Sequence, residues 1–324
     1  MTDEHAVITN SLSRSFGAVR AVDAVNLSIP SGEIYGFLGP NGAGKTSLVR
    51  MLTTLLLPTG GSASVAGHDV VTEPAAVRLK IGAALQAAAL DDKQTGRELL
   101  QLQSRLYGLT RPAIKQRINY LADLLNIDEA LDLLIGTYSG GMKRKLDLAV
   151  AMIHEPQILF LDEPTTGLDP ISRVELWDEV RRVNEDRGVT IFMTTQYLEE
   201  ADYLAQRVGI INQGRIVAEG SPAELKRSVG SDMIVARIDG QTSGAAEACE
   251  QVDGVESVEV YANEITLSVD QGSKVIGPVA IALDQSGASV EDIVLRTSTL
   301  DDVFLHYTGA RLEVDANIAK EEPA

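Results

Sequence analysis

The run GPNGAGKT, Gly39 to Thr46, narrows the folds open to this chain more than any other stretch. It reads glycine, four free positions, glycine, lysine and a hydroxyl, and it stands between the strand-like EIYGFLG and the helical TSLVRMLTTLL. A strand that turns through glycines straight into a helix is the first unit of an α/β fold. The glycines let backbone N–H groups turn inward around phosphate oxygens, and the following helix adds the positive end of its dipole. Lys45 supplies a point charge for the β- and γ-phosphates, and the Thr46 hydroxyl is suited to Mg²⁺.

The rest of the chain is consistent with that opening. AVDAVNLSIP alternates as a strand and closes at Pro30-Ser31-Gly32, and RLKIGAALQ reads as another buried strand. From about Leu90 to Glu155 the spacing becomes helical in RELLQLQSRLYGL, AIKQRINYLADLLNI and KRKLDLAVAMI, which predicts a helical insertion. Strand pattern returns in ILFLD, VTIFM and RVGIIN, separated by helical ELWDEVRRVNED and LEEADYLAQ, the alternation of a parallel sheet covered by helices. After Gly230 the order becomes strand, helix, strand, strand, helix, strand, that of a small ferredoxin-like α+β domain. The expected division is therefore a first domain over 1–230, a second over 231–309 and an acidic mobile tail over 310–324, with TLDDVFLHYTG a helix returning to the body.

Charge and cysteine content exclude some classes. Lys+Arg of 28 against Asp+Glu of 46 gives a net charge of -18, which opposes general binding to nucleic acid or anionic lipid. One cysteine, Cys249, cannot form an internal disulfide or a cysteine-based zinc cluster; it reads as a small buried side chain in a reducing compartment. The polar N-terminus is not a secretory signal, and no apolar run reaches the roughly 18 residues of a membrane span, so a membrane role needs a partner.

Two further motifs carry chemistry. ILFLDE puts Asp162 at the end of an apolar strand, where open α/β sheets present ligands, and Glu163 directly after it. Asp162 suits Mg²⁺, and Glu163 suits the polarisation of an attacking water. YSGGMKRKLDLA places Ser139, Gly140 and Gly141 before a long helix, so a hydroxyl and backbone N–H groups face an anion, or simply cap the helix.

Together, and in this order, these motifs make residues of about 5 to 225 resemble the nucleotide-binding subunit of an ABC transporter, a P-loop ATPase. The resemblance implies ATP and Mg²⁺ as ligands, with Gly39, Pro40, Asn41, Gly42, Ala43, Gly44, Lys45, Thr46 and Ser47 as the Walker A site. It implies Asp162 as the Walker B acid, Glu163 as the catalytic carboxylate, and Thr46, Gln86 and Asp162 as the residues toward the metal. Ser139 to Gly141 then look like the signature motif, which in this family reaches nucleotide held by the opposite subunit, and Asp169 like the D-loop aspartate at the subunit contact. Phe16 is similar to the aromatic that stacks on adenine, though a core phenylalanine fits its setting as well. Tyr138 and Met142 depart from the residues many relatives carry around the signature.

The larger departure is Gln196 in TTQYLEEAD, at the place of the family's switch histidine; none of the 4 histidines, His5, His68, His154 and His306, is near it in sequence. Glutamine keeps a hydrogen-bond donor and loses titration, so hydrolysis is expected to survive if Glu163 handles the water. The segments TTQYLEEAD, YSGGMKRKLDLA and TLDDVFLHYTG resemble the branch of antibiotic exporters that includes the daunorubicin resistance ATPases. That resemblance implies a homodimeric motor, peripheral on the cytoplasmic face of the membrane and driving a separate permease. An importer ATPase with a regulatory C-terminal domain, a non-transport ABC ATPase and a nucleotide sensor are the alternatives.

Overall fold

The computed structural model describes residues 5–85, 90–230, 232–239 and 243–309. The chain divides into two units between Pro222 and Ala223. In the first unit, strands β1 (His5–Phe16), β2 (Val19–Pro30), β4 (Gly60–Val65) and β5 (His68–Asp69) form an antiparallel sheet in the order β2-β1-β4-β5. A second sheet contains β3 (Ile34–Leu38), β6 (Ile81–Ala84), β7 (Ile158–Asp162), β8 (Thr190–Thr195), β9 (Arg207–Asn212) and β10 (Arg215–Gly220). Its order is β10-β9-β3-β8-β7-β6, parallel throughout except for β10 at one edge.

Strands β3, β7 and β8 are buried at every position because the sheet is covered on both faces. Tyr35, Phe37, Phe160 and Phe192 point to one face and join the core beneath α1 (Lys45–Leu52). The Phe192 ring lies 5.6 Å from each of the other three. Ile34, Leu159, Leu161, Ile191 and Met193 point to the other face and join the helical core. That core includes α3 (Gly96–Leu106), α4 (Arg111–Leu124), α5 (Gly140–Met152) and α6 (Pro170–Arg187). Thr95 and Glu98 form a reciprocal cap that starts α3, and Pro112 opens α4, where a missing N–H costs nothing. β6 and α5 approach so closely that a Cβ on Gly82 would stand 2.2 Å from the Ala151 carbonyl oxygen.

Two local expectations are corrected. Among the described residues of RLKIGAALQ, strand β6 takes only Ile81–Ala84, because Pro74 opens helix α2 (Pro74–Lys80), which carries Arg78, Leu79 and Lys80. The helix after the glycine loop stops at Leu52, and Thr54 takes a φ of +64°, so the TTLL of that run is not helical. Helix α7 (Leu198–Leu204) follows β8 as the alternation requires.

The second unit contains α8 (Pro222–Val229), β11 (Asp232–Asp239), α9 (Ser243–Glu250), β12 (Val255–Tyr261), β13 (Glu264–Val269), α10 (Gly272–Gln285), β14 (Ser289–Arg296) and α11 (Leu300–Thr308). Its antiparallel sheet runs β12-β13-β11-β14, the ferredoxin-like order with the first and third strands central. Ile234, Ile265, Leu267, Val279 and Leu283 fill its core, and Cys249 is fully buried there. The division precedes residue 230 because α8 belongs to this unit, the Ser228 hydroxyl meeting Tyr307 of α11 at 3.4 Å. For the same reason α11 lies with the second unit rather than the body. The expected tail beyond Gly309 lies outside the described residues. Among the described residues, no helix is long and apolar enough to cross a membrane.

The ring cluster behind β3 and β8 makes a direct test of this packing. Phe192→Ala should lower the stability of the first unit by about 3–5 kcal/mol. Urea unfolding followed by circular dichroism reads this; an unchanged midpoint would contradict the central placement of Phe192.

Candidate functional site

Parallel strands β3, β8 and β7 are neighbours, so the residues that follow them collect at one sheet edge. Leu38 pairs with Thr195, and Asp162 with Thr194. Gly39, Glu163 and Gln196, separated widely in sequence, therefore begin their loops side by side.

Three positions of the loop after β3 require glycine, by close approach or by backbone conformation. Gly42 has φ +79° and Gly44 φ +112°; a Cβ on Gly44 would lie 2.2 Å from the Ala21 carbonyl oxygen, and one on Gly39 2.6 Å from that of Ile211. Pro40 O accepts from Ala43 N at 3.1 Å, and Ala43 O from Gly214 N at 3.0 Å, which closes the turn and ties it to the β9–β10 hairpin. Lys45, buried at the first position of α1, folds back so that Nζ donates to Gly39 O at 2.6 Å and Pro40 O at 3.4 Å. Burial lowers the Lys45 pKa, and the Glu163 and Asp162 carboxylates oppose that shift. Thr46 and Ser47 follow on the first turn of the same helix.

Opposite the loop, Glu163 Oε1 lies 3.6 Å from Lys45 Nζ, both side chains being buried. Glu163 has φ +51°, a left-handed backbone uncommon for glutamate, which reverses the chain directly after β7. Thr194 of the adjacent strand holds this reversal. Its hydroxyl donates to Asp162 Oδ1 at 2.6 Å and accepts from Glu163 N at 3.1 Å, while its carbonyl accepts from the same N–H at 3.1 Å. A glycine-lined cradle with a buried ammonium, beside the hydroxyl of Thr46 and the carboxylate of Asp162, offers hard oxygen donors of the kind Mg²⁺ takes. The donor set thus fits a magnesium–polyphosphate ligand.

The remaining candidates occupy distinct places. Ser139 caps α5, its hydroxyl accepting from Met142 N at 3.2 Å, and Ser139 and Gly140 are exposed. Asp169 caps α6, Oδ1 accepting from Ile171 N and Ser172 N, and Oδ2 from the Ser172 hydroxyl at 2.6 Å; those bonds, led by the hydroxyl, lower its pKa. Phe16 ends β1 and is 47% exposed with the Arg14 guanidinium 4.5 Å from its ring centre, so it is a surface ring and not a core residue. Gln196 is half-buried immediately beyond β8, followed by Tyr197, whose ring carries the Arg173 guanidinium at 4.1 Å. Gln86 lies outside the described residues. Tyr138 is buried with its hydroxyl donating to Ala130 O, and Met142 packs against the helical core, so both departures from the common pattern serve packing.

Comparison with known proteins identifies the family. A family profile described as ABC transporter matches residues 22–166, and one described as ATP-binding protein DrrA1-3-like, C-terminal domain, matches residues 220–308. The chain is 45% identical over 306 residues to the daunorubicin resistance ATP-binding protein DrrA3 of Streptomyces coeruleorubidus, covering 94% of this chain and 96% of the relative. It is 43% identical to the daunorubicin/doxorubicin resistance ATP-binding protein DrrA of Streptomyces peucetius, covering 94% and 92%. Among solved structures, CbiO1 of Clostridium perfringens, part of the ABC transporter complex CbiONQ, shares the fold with a TM-score of 0.65 and 23% identity, over 69% of this chain and 91% of that one.

Two residues of the site's support escape sequence reading. Thr194 looks like one more β-branched residue in a buried strand. Glu200, in the polar run LEEAD, is fully buried: its Oε1 accepts from the Thr165 hydroxyl at 3.0 Å and from Trp177 Nε1 at 2.9 Å. Its flanking Leu198 and Ala201 were the only sign that this face of α7 points inward. Burial pushes the Glu200 carboxyl up to about 7 against the pull of its Thr195, Thr165 and Trp177 hydrogen bonds. The folded state therefore keeps a proton that the unfolded chain releases near its ordinary value of 4.5. The resulting stabilisation is complete below pH 4.5 and is lost as pH rises to about 7. Glu200→Gln should accordingly raise the stability at pH 8, by on the order of 2 kcal/mol, with a higher thermal midpoint, and change it little at pH 4.5. A destabilised variant at pH 8 in a thermal melt would contradict this.

Proposed function

The chain belongs to the family of ATP-binding subunits of ABC transporters, and we propose that it is the ATP-hydrolysing motor of a drug or antibiotic exporter, working with a separate membrane permease. The names of its relatives support the exporter reading, and the site supports the motor. The observation that carries it is Glu163, turned by its left-handed backbone toward Lys45 at 3.6 Å on the edge that also presents the glycine cradle.

In this reading the backbone N–H groups of the cradle and the Lys45 ammonium hold the ATP phosphates. Thr46 and Asp162 hold Mg²⁺, with Gln86 assigned to the same ion. When bound, the ion neutralises charge that develops on the phosphate oxygens. Glu163 accepts the proton of a water as its oxygen forms a bond to the γ-phosphorus, and the bond to the bridging oxygen of ADP breaks.

Gln196 donates a hydrogen bond toward the γ-phosphate without titrating, so proton transfer rests on Glu163 alone. Phe16, exposed at the end of β1, offers a ring face to adenine. The exposed Ser139-Gly140-Gly141 turn at the start of α5 meets the γ-phosphate held by a second copy, with Asp169 at the contact. Two chains thus close over two ATP molecules, closure drives the permease, and hydrolysis reopens the pair. The protein then works on the cytoplasmic face of the membrane, held there by its permease.

Two measurements test the assignment. Glu163→Gln should lower phosphate release from Mg-ATP by at least about 100-fold while ATP binding persists, and normal turnover in that variant would refute the role. Gln196→His should retain turnover and acquire a pH dependence between about pH 5 and 8 that the parent lacks; an unchanged pH profile would show that position 196 does not reach the phosphate.

A further inference from the structure

Arg144, on the second turn of α5, ties its own helix to two other chain segments, the turn after β7 and the residue that follows β6. Its Nε donates to Pro164 O at 2.8 Å, Nη1 to Leu85 O at 3.1 Å, and Nη2 to Asp162 O at 3.2 Å. Nη1 also meets Asp147 Oδ2 at 3.1 Å, one turn further along the same helix, and both side chains are nearly buried. The guanidinium therefore holds the carbonyls immediately before and immediately after Glu163, together with that of Leu85, the first residue after β6. It also lines a cavity of about 220 Å³ whose other walls include Glu163, Thr166 and Gly140.

A surface arginine needs no such arrangement. Burying this pair is costly, since burial raises the Asp147 carboxyl to about 6 even with Arg144 beside it, and apolar side chains would pack the same space more cheaply. What a planar fork supplies and an apolar residue cannot is several fixed bonds in different directions. All three carbonyls lie at the carboxyl ends of β6 and β7, and the helix that carries the fork begins at the exposed Ser139 turn. A shift of α5 along or about its axis is thereby passed to the backbone on both sides of Glu163.

We propose that Arg144, braced by Asp147, is a positioning residue for ATP hydrolysis: it couples the start of α5 to the Glu163 carboxylate by holding the carbonyls of Asp162, Pro164 and Leu85. It touches neither nucleotide nor water. The proposal rests on Glu163 being the group that polarises the water. Loss of the fork leaves the cradle, Lys45 and Thr46 unaltered, so binding persists while the carboxylate is misplaced.

The test uses phosphate release by the purified full-length chain with Mg-ATP, fluorescent-nucleotide titration and a thermal melt. Arg144→Gln should lower kcat by about 100-fold with KM and nucleotide affinity within twofold of the parent, the size of effect expected when a reacting group is misplaced by about an ångström. Arg144→Lys, which restores charge without the fork, should recover no more than about a tenth of the parent rate. If the Arg144 variants do not fold, Asp147→Asn decides, with kcat expected to fall about tenfold at unchanged KM. A folded Arg144→Lys or Asp147→Asn with kcat within threefold of the parent, or a loss that appears wholly in KM, overturns the proposal. Glu163→Gln, run alongside, separates the two claims: if it is inactive while the Arg144 variants are normal, only the positioning role fails, and if it turns over normally the assignment of Glu163 itself fails.

Discussion

The structure depends on bringing a buried ammonium and a buried carboxylate to the open end of a parallel sheet and holding them apart. Lys45 and Glu163 face each other at 3.6 Å, close enough for the carboxylate to offset part of the desolvation of the ammonium. The gap survives because each partner is tied down separately. Lys45 is bound by the carbonyls of its own loop, and Glu163 by a reversed backbone pinned to Thr194. The second restraint depends on the strand order that makes β8 the neighbour of β7.

The charge of the whole chain and the charge of the site have opposite signs, and distance reconciles them. A net charge of -18 repels polyanions at long range, while salt screens that repulsion beyond about 10 Å. Within the cradle, Lys45, inward N–H groups and a helix N-terminus determine what binds. An acidic protein can thus bind a highly charged anion at one point and avoid nucleic acid elsewhere.

Features encoded within a few neighbouring residues were legible from sequence. The glycine cradle is one, since its turn, its helix and its lysine are contiguous, and the ferredoxin-like order after Gly230 is another, since period-two and period-3.6 runs alternate cleanly there. Features that depend on distant partners were not. Arg78 to Lys80 stand in a strand-like run, yet they close the helix that Pro74 opens. The unit boundary moved from 230 to 222 because α8 packs with α11, about 80 residues downstream, a contact no local pattern announces. Thr194, Glu200 and Arg144 look ordinary in sequence; Thr194 and Arg144 take their partners from the Asp162 carboxylate and the carbonyls at the sheet edge, and Glu200 from the Thr165 hydroxyl and the Trp177 indole. Phe16 was open between core and surface, and its 47% exposure places it on the surface.

The central claim is that a nucleotide is enclosed only when the Ser139 turn of one copy faces the cradle of another. The single native cysteine makes a direct measurement practical, because Cys249 is buried and can be replaced by serine. On that background, with Glu163→Gln to preserve the ATP, cysteines are placed at the exposed Asn41 and Ser139 and the chain is oxidised with and without Mg-ATP. The account predicts a covalent dimer on a non-reducing gel that forms with Mg-ATP and not without it. A chain that stays monomeric under both conditions, or that dimerises equally in the absence of nucleotide, would contradict it.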